Sequence, residues 1–496
     1  MEKINLAYRY RIYPDKEQQI MLLNKMKSYN TAWNIALDWY KAYLIKTWLD
    51  NNKPMRTSKG GLEYPDFKAL SANNISKEIY HLKDNPDCDA WKIIQYKRFI
   101  EEKEKYMEYL KNIPATSFHY IYESLSQAFK QNYNPKIIEK RIEQRKRLLK
   151  KNQEKIAKGQ QPKQIKVYHY KYNGEEYIDN FHLNVHQFSE NDCSFTFQQQ
   201  NQQAIKKCDD GKVYFKVPTI GDVKVIYQRD IPEGSKFDAI TISKKGKYWY
   251  LSMGGLSKEC AEELKPEEIV SVVGIDKNAN NHMFYSDGTQ FKNPVEKLQK
   301  LEKRIAKLKK RDGCKDNPKP GDRKIGSRRY KIVHRQIANI YHKINNIKLN
   351  MLHNATAKAT DDYGLICLED QVNCGMSKYN GKYTHKVNHT AFVNQLEYKS
   401  KLKGGHIVKV DRWFPSTQLC SVCGKKHEEL KDMKIRTLRC DCGNIINRDY
   451  NAAINIRNEG IKVFYNITDK KNFEKISKKF LTNEKIRYID WVKKKS

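Results

Sequence analysis

The sequence predicts a multidomain α+β protein, and three observations predict it. The chain has 496 residues, too many for one ordinary core. In the first half, helical periodicity over 15 to 165 separates two stretches of period two, 1 to 14 and 166 to 257. In the second half, apolar strand-like runs alternate with helical patterns and lead to a cysteine cluster.

The elements follow in order. Ile4, Leu6, Tyr8, Tyr10 and Ile12 alternate with mostly polar or small residues, which reads as a half-buried strand stopped by Pro14. Asp15 with Gln18 three residues on is a capping box, so a helix starts there and carries Tyr29, Trp33 and Leu37 on its core face. Residues 51 to 66 read as a loop and 73 to 158 as mostly helical, with a new helix starting after Pro114. Val223, Val225 and Tyr227 share one face of a strand, and Gly246 turns between two more. These belong to a small β domain over 166–257 that the amino-terminal strand joins, making the helices between an insertion. Residues 258–268 are acidic and polar and read as a linker.

Ile269 to Ile275 is a run of β-formers that reads as a strand buried on both faces, ending at Asp276. Asp287-Gly288 marks a hairpin, and two helices follow around a basic loop at 312 to 327. Leu365 to Leu368 is another buried strand and ends at Glu369. A loop at 371 to 388, a helix near 390 to 403 and the strand Ile407–Val410 complete a segment 269–413. The cysteines occupy 414–446, and a final helix with a basic tail occupies 447–496.

Lys and Arg number 94 against 58 Asp and Glu, a formal charge of +36, spread over the whole chain. Such a chain repels itself unless a polyanion neutralises it, and a long nucleic acid does so better than a small phosphate. The 32 Tyr interleaved with these cations suit stacking on unpaired bases. The helix that carries Arg141, Arg145 and Lys146 is one-sidedly basic; phosphate contact competes there with a merely solvated face. The amino end has no secretory pattern and no stretch is long enough to span a bilayer, so a cytoplasmic protein without a membrane partner is expected. No Walker loop, zinc-protease helix or nucleophile elbow is present.

Two constellations carry chemistry. Asp276 and Glu369 end apolar strands, and Asp449 opens the last helix after a strand. Strand ends of this kind gather at one sheet edge, where carboxylates suit magnesium, and two such ions activate water and stabilise a leaving oxygen in phosphodiester hydrolysis. Each acid alone also reads as an ordinary strand-end carboxylate. Cys420-x2-Cys423, sixteen intervening residues and Cys440-x-Cys442 have the spacing of a closed structural zinc site. The second knuckle is one residue short; His427 is an alternative ligand, and four free thiols are the other reading.

Gly274-Ile275-Asp276, Cys367-Leu368-Glu369-Asp370, Leu396-Glu397-Tyr398-Lys399, Cys420-Ser421-Val422-Cys423-Gly424 and Asn447-Arg448-Asp449-Tyr450-Asn451-Ala452-Ala453 resemble the RuvC and zinc-ribbon motifs of TnpB and the miniature type V CRISPR nucleases, subtype V-F. Tyr10 to Gln18, Tyr29-Asn30 and Val217 to Gly221 fit the same resemblance. It implies an RNase H-like (RuvC) nuclease core with a zinc-ribbon insertion, plus a β-barrel wedge domain interrupted by a helical recognition domain. It implies magnesium held by catalytic Asp276, Glu369 and Asp449, zinc on the four cysteines, a guide RNA paired with target double-stranded DNA, and a homodimer on one guide. Thr116, Ser117 and Tyr120 become candidates for reading a flanking DNA motif, against a cap and core reading of the same residues. The family often has Asp where Asn447 stands; the second acid of that motif, Asp449, is taken as the ligand. A transposon-encoded nuclease of the TnpB type and a guide-dependent binder that does not cut are the alternative functions.

Overall fold

A computed structural model describes residues 2–50, 82–87, 91, 94, 97–132, 135–162, 168–172, 175–179, 186–198, 204–232, 239–277, 283–291, 294–313, 327–370, 389–432 and 434–482. The loops expected at 51 to 66 and 371 to 388 and most of the basic loop at 312 to 327 lie outside them. The chain divides into two compact units, Ala7–Leu256 and Met1–Leu6 with Ser257–Ser496. Among the described residues no helix is long and apolar enough to cross a membrane.

In the first unit, β1 (Lys3–Tyr13) runs into α1 (Lys16–Asp50) through the expected capping box. The Gln18 amide N–H donates to Asp15 Oδ1 at 2.8 Å, and Gln18 Oε1 accepts from the Asp15 N–H at 3.1 Å. Helices α2 (Lys97–Glu101), α3 (Lys103–Lys111), α4 (Ala115–Asn132) and α5 (Pro135–Ala157) follow, and Gly159, at φ +63°, ends the last of them. Trp33, Ala36, Trp39, Phe118, Ile121 and Leu125 pack in one helical core.

The β region consists of β2 (Tyr168–Tyr172), β3 (Glu175–Asp179), β4 (Asp192–Phe197), β5 (Ile205–Lys207), β6 (Val213–Val217), β7 (Gly221–Ile226), β8 (Ile240–Lys245) and β9 (Tyr248–Glu259). Seven strands form one sheet in the order β4-β8-β9-β1-β7-β6-β5, so the amino-terminal strand does join it. The expected barrel is not closed: β4 and β5 are free edges among the described strands, and β2 and β3 pair only with each other. The linker expected at 258–268 is also shorter, because β9 continues to Glu259 and Pro266–Glu268 form a helical turn.

The second unit is built on β10 (Val272–Lys277), β11 (Met283–Tyr285), β12 (Gln290–Phe291), β13 (Leu365–Glu369) and β14 (His406–Val410), in the order β12-β11-β10-β13-β14. β10, β13 and β14 are parallel, and β11 runs antiparallel to β10. Helices α6 (Val295–Gly313) and α7 (Arg328–Asp362) pair through Leu298, Ile305, Ile337 and Ile344. α8 (His389–Leu402) joins α7 on one face of the sheet, while α9 (Arg448–Tyr465) and α10 (Lys470–Thr482) cover the other. Between β14 and α9 lie β15 (Thr437–Arg439) and β16 (Ile445–Asn447), an antiparallel pair.

Both faces being covered explains the unbroken apolar runs of β10 and β13. Side chains alternate between the faces. Val273, Ile275, Ile366 and Leu368 pack with Leu352, Ala355 and Phe392 of α7 and α8. Val272, Leu365 and Cys367 pack with Ile456 and Ile461 of α9. By the same period of two, Asp276 and Glu369 fall on the α9 side.

Candidate active site and four-cysteine cluster

Strand register brings two of the acids together. Ile275 pairs with Leu368 across the parallel β10–β13 ladder, so Asp276 and Glu369 are the next residues of adjacent strands, on one face and at one end. Asp449 comes from the first turn of α9. That helix lies unusually close to the sheet: a Cβ at Gly274 would land on the Ala453 carbonyl oxygen and the Arg457 amide, and one at Gly460 would land on the Cys367 side chain. Two glycines, one on the strand and one on the helix, thus let backbone meet backbone. The contact carries Asp449, one turn before Ala453, toward Asp276, two residues beyond Gly274.

Electrostatics record the convergence. Asp276 is buried, and its carboxyl is pushed up to about 8, first by desolvation and then by the charges of Asp449 and Glu369, with Arg448 opposing. Like charges this near disfavour ionisation unless a cation neutralises them. Arg436 reaches to 3.7 Å from Asp449. Lys277 was missed by sequence reading; it is buried with Nζ 5.3 Å from the Phe392 ring centroid, and desolvation pulls its ammonium down to about 7. Only its place beside Asp276 could have pointed to it. Asp370 is turned outward and pairs with Arg412 at 3.3 Å. Carboxylate oxygens are the donors a divalent ion of the magnesium class prefers, but the oxygens of these three acids do not all lie within 4.8 Å of one another as the four thiols do.

Asn447 has a local task. Its side-chain oxygen accepts from the Asp449 and Tyr450 amides at 3.0 and 3.2 Å, which makes it the N-cap of α9.

The four cysteines form one cluster. The Sγ atoms of Cys420, Cys423, Cys440 and Cys442 all lie within 4.8 Å of one another, with Cys420–Cys442 at 3.7 Å and Cys423–Cys440 at 3.4 Å. Zn–S bonds of about 2.3 Å at tetrahedral angles place sulfurs about 3.8 Å apart, so the shortened second knuckle still fits zinc. His427 stands apart: its Nδ1 is 2.9 Å from Glu429, and four thiols close the cluster without it. Burial raises the Cys420 thiol's affinity for its proton, but the Cys423 and Val422 amides and the Asn444 side chain outweigh it and bring it down to about 6. Beneath the cluster Leu430 and Leu438 form a very small core.

Two asparagines tie this cluster to α9, and sequence reading missed both as site elements. Asn451 and Asn455 are buried and bond to backbone on either side of Cys420.

The candidate nucleic-acid residues fare unevenly. Thr116 is exposed and accepts from the Gln198 amide at 3.2 Å. Ser117 is fully buried, so its side chain offers no exposed surface. Tyr120 is half-buried and lines a cleft of about 810 Å³ with Tyr29, Trp33 and His186; the Trp33 and His186 rings stack at 3.6 Å and 5°. Lys146 is exposed on α5, and the Arg141 and Arg145 side chains lie outside the described ones.

Comparison with known proteins follows the same lines. A family model described as "Cas12f1-like, TNB domain" matches residues 389–456, from α8 through the cysteine cluster to α9. A "Helix-turn-helix domain" model named for OrfB of IS605 matches residues 1–44, where the structure has a strand and one long helix. The "Putative RNA-guided DNA endonuclease" of Streptomyces pristinaespiralis is 27% identical over 248 residues, 49% of this chain and 58% of that protein. Escherichia coli InsQ, of the same description, is 28% identical over 44% of this chain and 55% of its own length. The chain therefore spans somewhat over half the length of these curated relatives. The cryo-electron-microscopy structure of a Cas12f1–sgRNA–target DNA complex aligns over 92% of this chain and 99% of that one at 14% identity, with a TM-score of 0.38, too loose to define the fold. At both ends of the chain, and over about half its length, the sequence is thus similar to RNA-guided DNA endonucleases and to a Cas12f1-like domain.

Proposed function

We propose that the protein is an RNA-guided DNA endonuclease that hydrolyses phosphodiesters at Asp276, Glu369 and Asp449. The observation that carries this reading is the convergence of three carboxylates from β10, β13 and α9 on one face and one end of a sheet. On this reading 269–413 and 447–496 are an RNase H-like core, 414–446 a zinc ribbon, and 1–14 with 166–257 a wedge domain around the helical recognition segment 15–165. Subtype V-F, with two copies on one guide RNA, is the finer assignment.

The chain's own groups divide the work. Asp276, Glu369 and Asp449 would hold divalent ions, whose chemistry when bound would be charge neutralisation at the phosphate and activation of water. The buried sheet face keeps Asp276 desolvated, which strengthens its pull on a cation. Lysine and arginine elsewhere hold the nucleic-acid backbone, while base pairing with the guide reads sequence. A nuclease of the TnpB type using transposon-derived RNA is the second reading, supported by the match of residues 1–44 to the helix-turn-helix model named for OrfB of IS605.

Purified protein with its co-purified RNA, a matched duplex and magnesium tests the proposal. Cleavage that Asp276→Ala abolishes while target binding persists is the expected result. Guide-dependent binding without nicks would replace the nuclease by a binder.

A further inference from the structure

Helix α9 presents two stripes. Asp449, Ala453 and Gly460 face the sheet. Arg448, Asn451 and Asn455, spaced i, i+3 and i+7, face the cysteine segment. Asn451 Nδ2 donates to the Leu419 carbonyl at 2.6 Å, and its Oδ1 accepts from the Ser421 amide at 2.9 Å, so one side chain brackets Cys420. Asn455 Nδ2 donates to the Ser416 and Leu419 carbonyls at 2.8 and 2.7 Å. From the segment between the two knuckles, the Arg436 carbonyl accepts from the Arg448 amide at 2.9 Å, and the Asp432 carbonyl accepts from the Arg448 guanidinium at 3.0 Å. β16 then runs straight into the cap of α9.

Asparagine is a poor residue for a helix interior, and a buried amide must find partners. Those of Asn451 and Asn455 are backbone atoms whose positions depend on the cysteines being held together. We propose that Asn451, supported by Asn455 and Arg448, is a positioning residue that fixes Asp449 through the cysteine cluster, so that metal on the four thiols sets divalent affinity at the three carboxylates. The role given to Asp449 rests on the nuclease reading; the clamp itself does not.

The test uses full-length protein without nucleic acid. Manganese binding is read by electron paramagnetic resonance, amide exchange of residues 448–453 by mass spectrometry, and zinc by elemental analysis. Asn451→Ala is expected to keep zinc, weaken manganese binding at least tenfold and speed exchange in the first turns of α9. Asn451→Asp, which keeps the acceptor for Ser421 and loses the donor to Leu419, should fall between. Stripping zinc from the wild type should reproduce the Asn451→Ala effect and add nothing to it, since one linkage is broken in both. Should Asn451→Ala lose zinc, Asn455→Ala, which leaves Asn451 bonded, carries the same expectations at smaller size. Unchanged manganese affinity with unchanged exchange overturns the proposal, and so do additive effects of stripping and substitution. If the wild type takes up no manganese, the nuclease reading fails and exchange alone decides: faster exchange supports the clamp, and unchanged exchange overturns it.

Discussion

Gly274 lies against Ala453 so closely that a β-carbon on the strand would occupy the place of the helix carbonyl oxygen. Asp276 follows the first residue by two positions and Asp449 precedes the second by four, so this contact fixes the spacing of two acids. Gly274→Ala must push α9 outward. Overpacking of this kind costs about 1–3 kcal/mol. The expected outcome is a lower denaturant midpoint together with loss of divalent binding, although all three carboxylates remain. A variant that unfolds earlier but binds manganese as before would separate the packing from the site.

The raised pKa of Asp276 gives a pH signature. The folded chain holds this proton more tightly than the unfolded one, from the ordinary carboxyl value of 3.8 up to about 8. In that window the native state binds more protons, so this group's effect on stability turns unfavourable as pH rises. Lys277, pulled down to about 7, works the other way only above that pH, where the native state begins to hold fewer protons. Between pH 4 and 7 Lys277 therefore does not offset Asp276, while the lowered Cys420 thiol opposes it above about 6 and the lowered His186 below its ordinary value. A divalent ion that neutralises the ionised carboxyl should raise the melting temperature more at pH 7 than at pH 5, and Asp276→Asn should flatten the difference. Equal shifts at both pH values would mean that the ion binds elsewhere.

Much of this site was legible in the sequence, for a physical reason. A strand buried on both faces is an apolar run, and an acid that ends it stands out; Asp276 and Glu369 are such cases. Cysteine spacing was equally direct. Asn451 and Asn455 were not, because polar residues on a helix read as its solvent face until the backbone they serve is seen. Ser117 was misleading for the opposite reason: a hydroxyl near a helix start suggests a cap or a contact, yet it faces the helical core. Barrel closure depends on which distant edges pair, and local alternation carries no information about that; among the described strands β4 and β5 remain edges.

The cysteine cluster predicts its own spectroscopy. Four thiolates at tetrahedral spacing should give cobalt-substituted protein the ligand-field bands of a tetrahedral all-sulfur site. Cys440→Ser should weaken or shift them, and His427→Ala should leave them unchanged, since His427 is engaged with Glu429. The core beneath the cluster is too small to hold residues 420–446 without metal, so chelation should open that segment to proteolysis before the rest of the second unit. A shift of the cobalt bands in His427→Ala would make histidine a ligand after all.

Asn447 distinguishes a cap from a ligand. Its oxygen holds the Asp449 and Tyr450 amides, so Asn447→Ala should cost about 1 kcal/mol and free the first turn of α9. Divalent affinity should fall with it, because Asp449 belongs to that turn. Asn447→Asp keeps an acceptor in the same place, and a negative charge at a helix N-terminus is favoured by about 0.3–1 kcal/mol. The aspartate variant should therefore match wild-type stability and bind manganese with nearly wild-type affinity. If aspartate instead raised that affinity by orders of magnitude, position 447 would be reaching the ion itself, and Asp449 would share a task so far given to it alone.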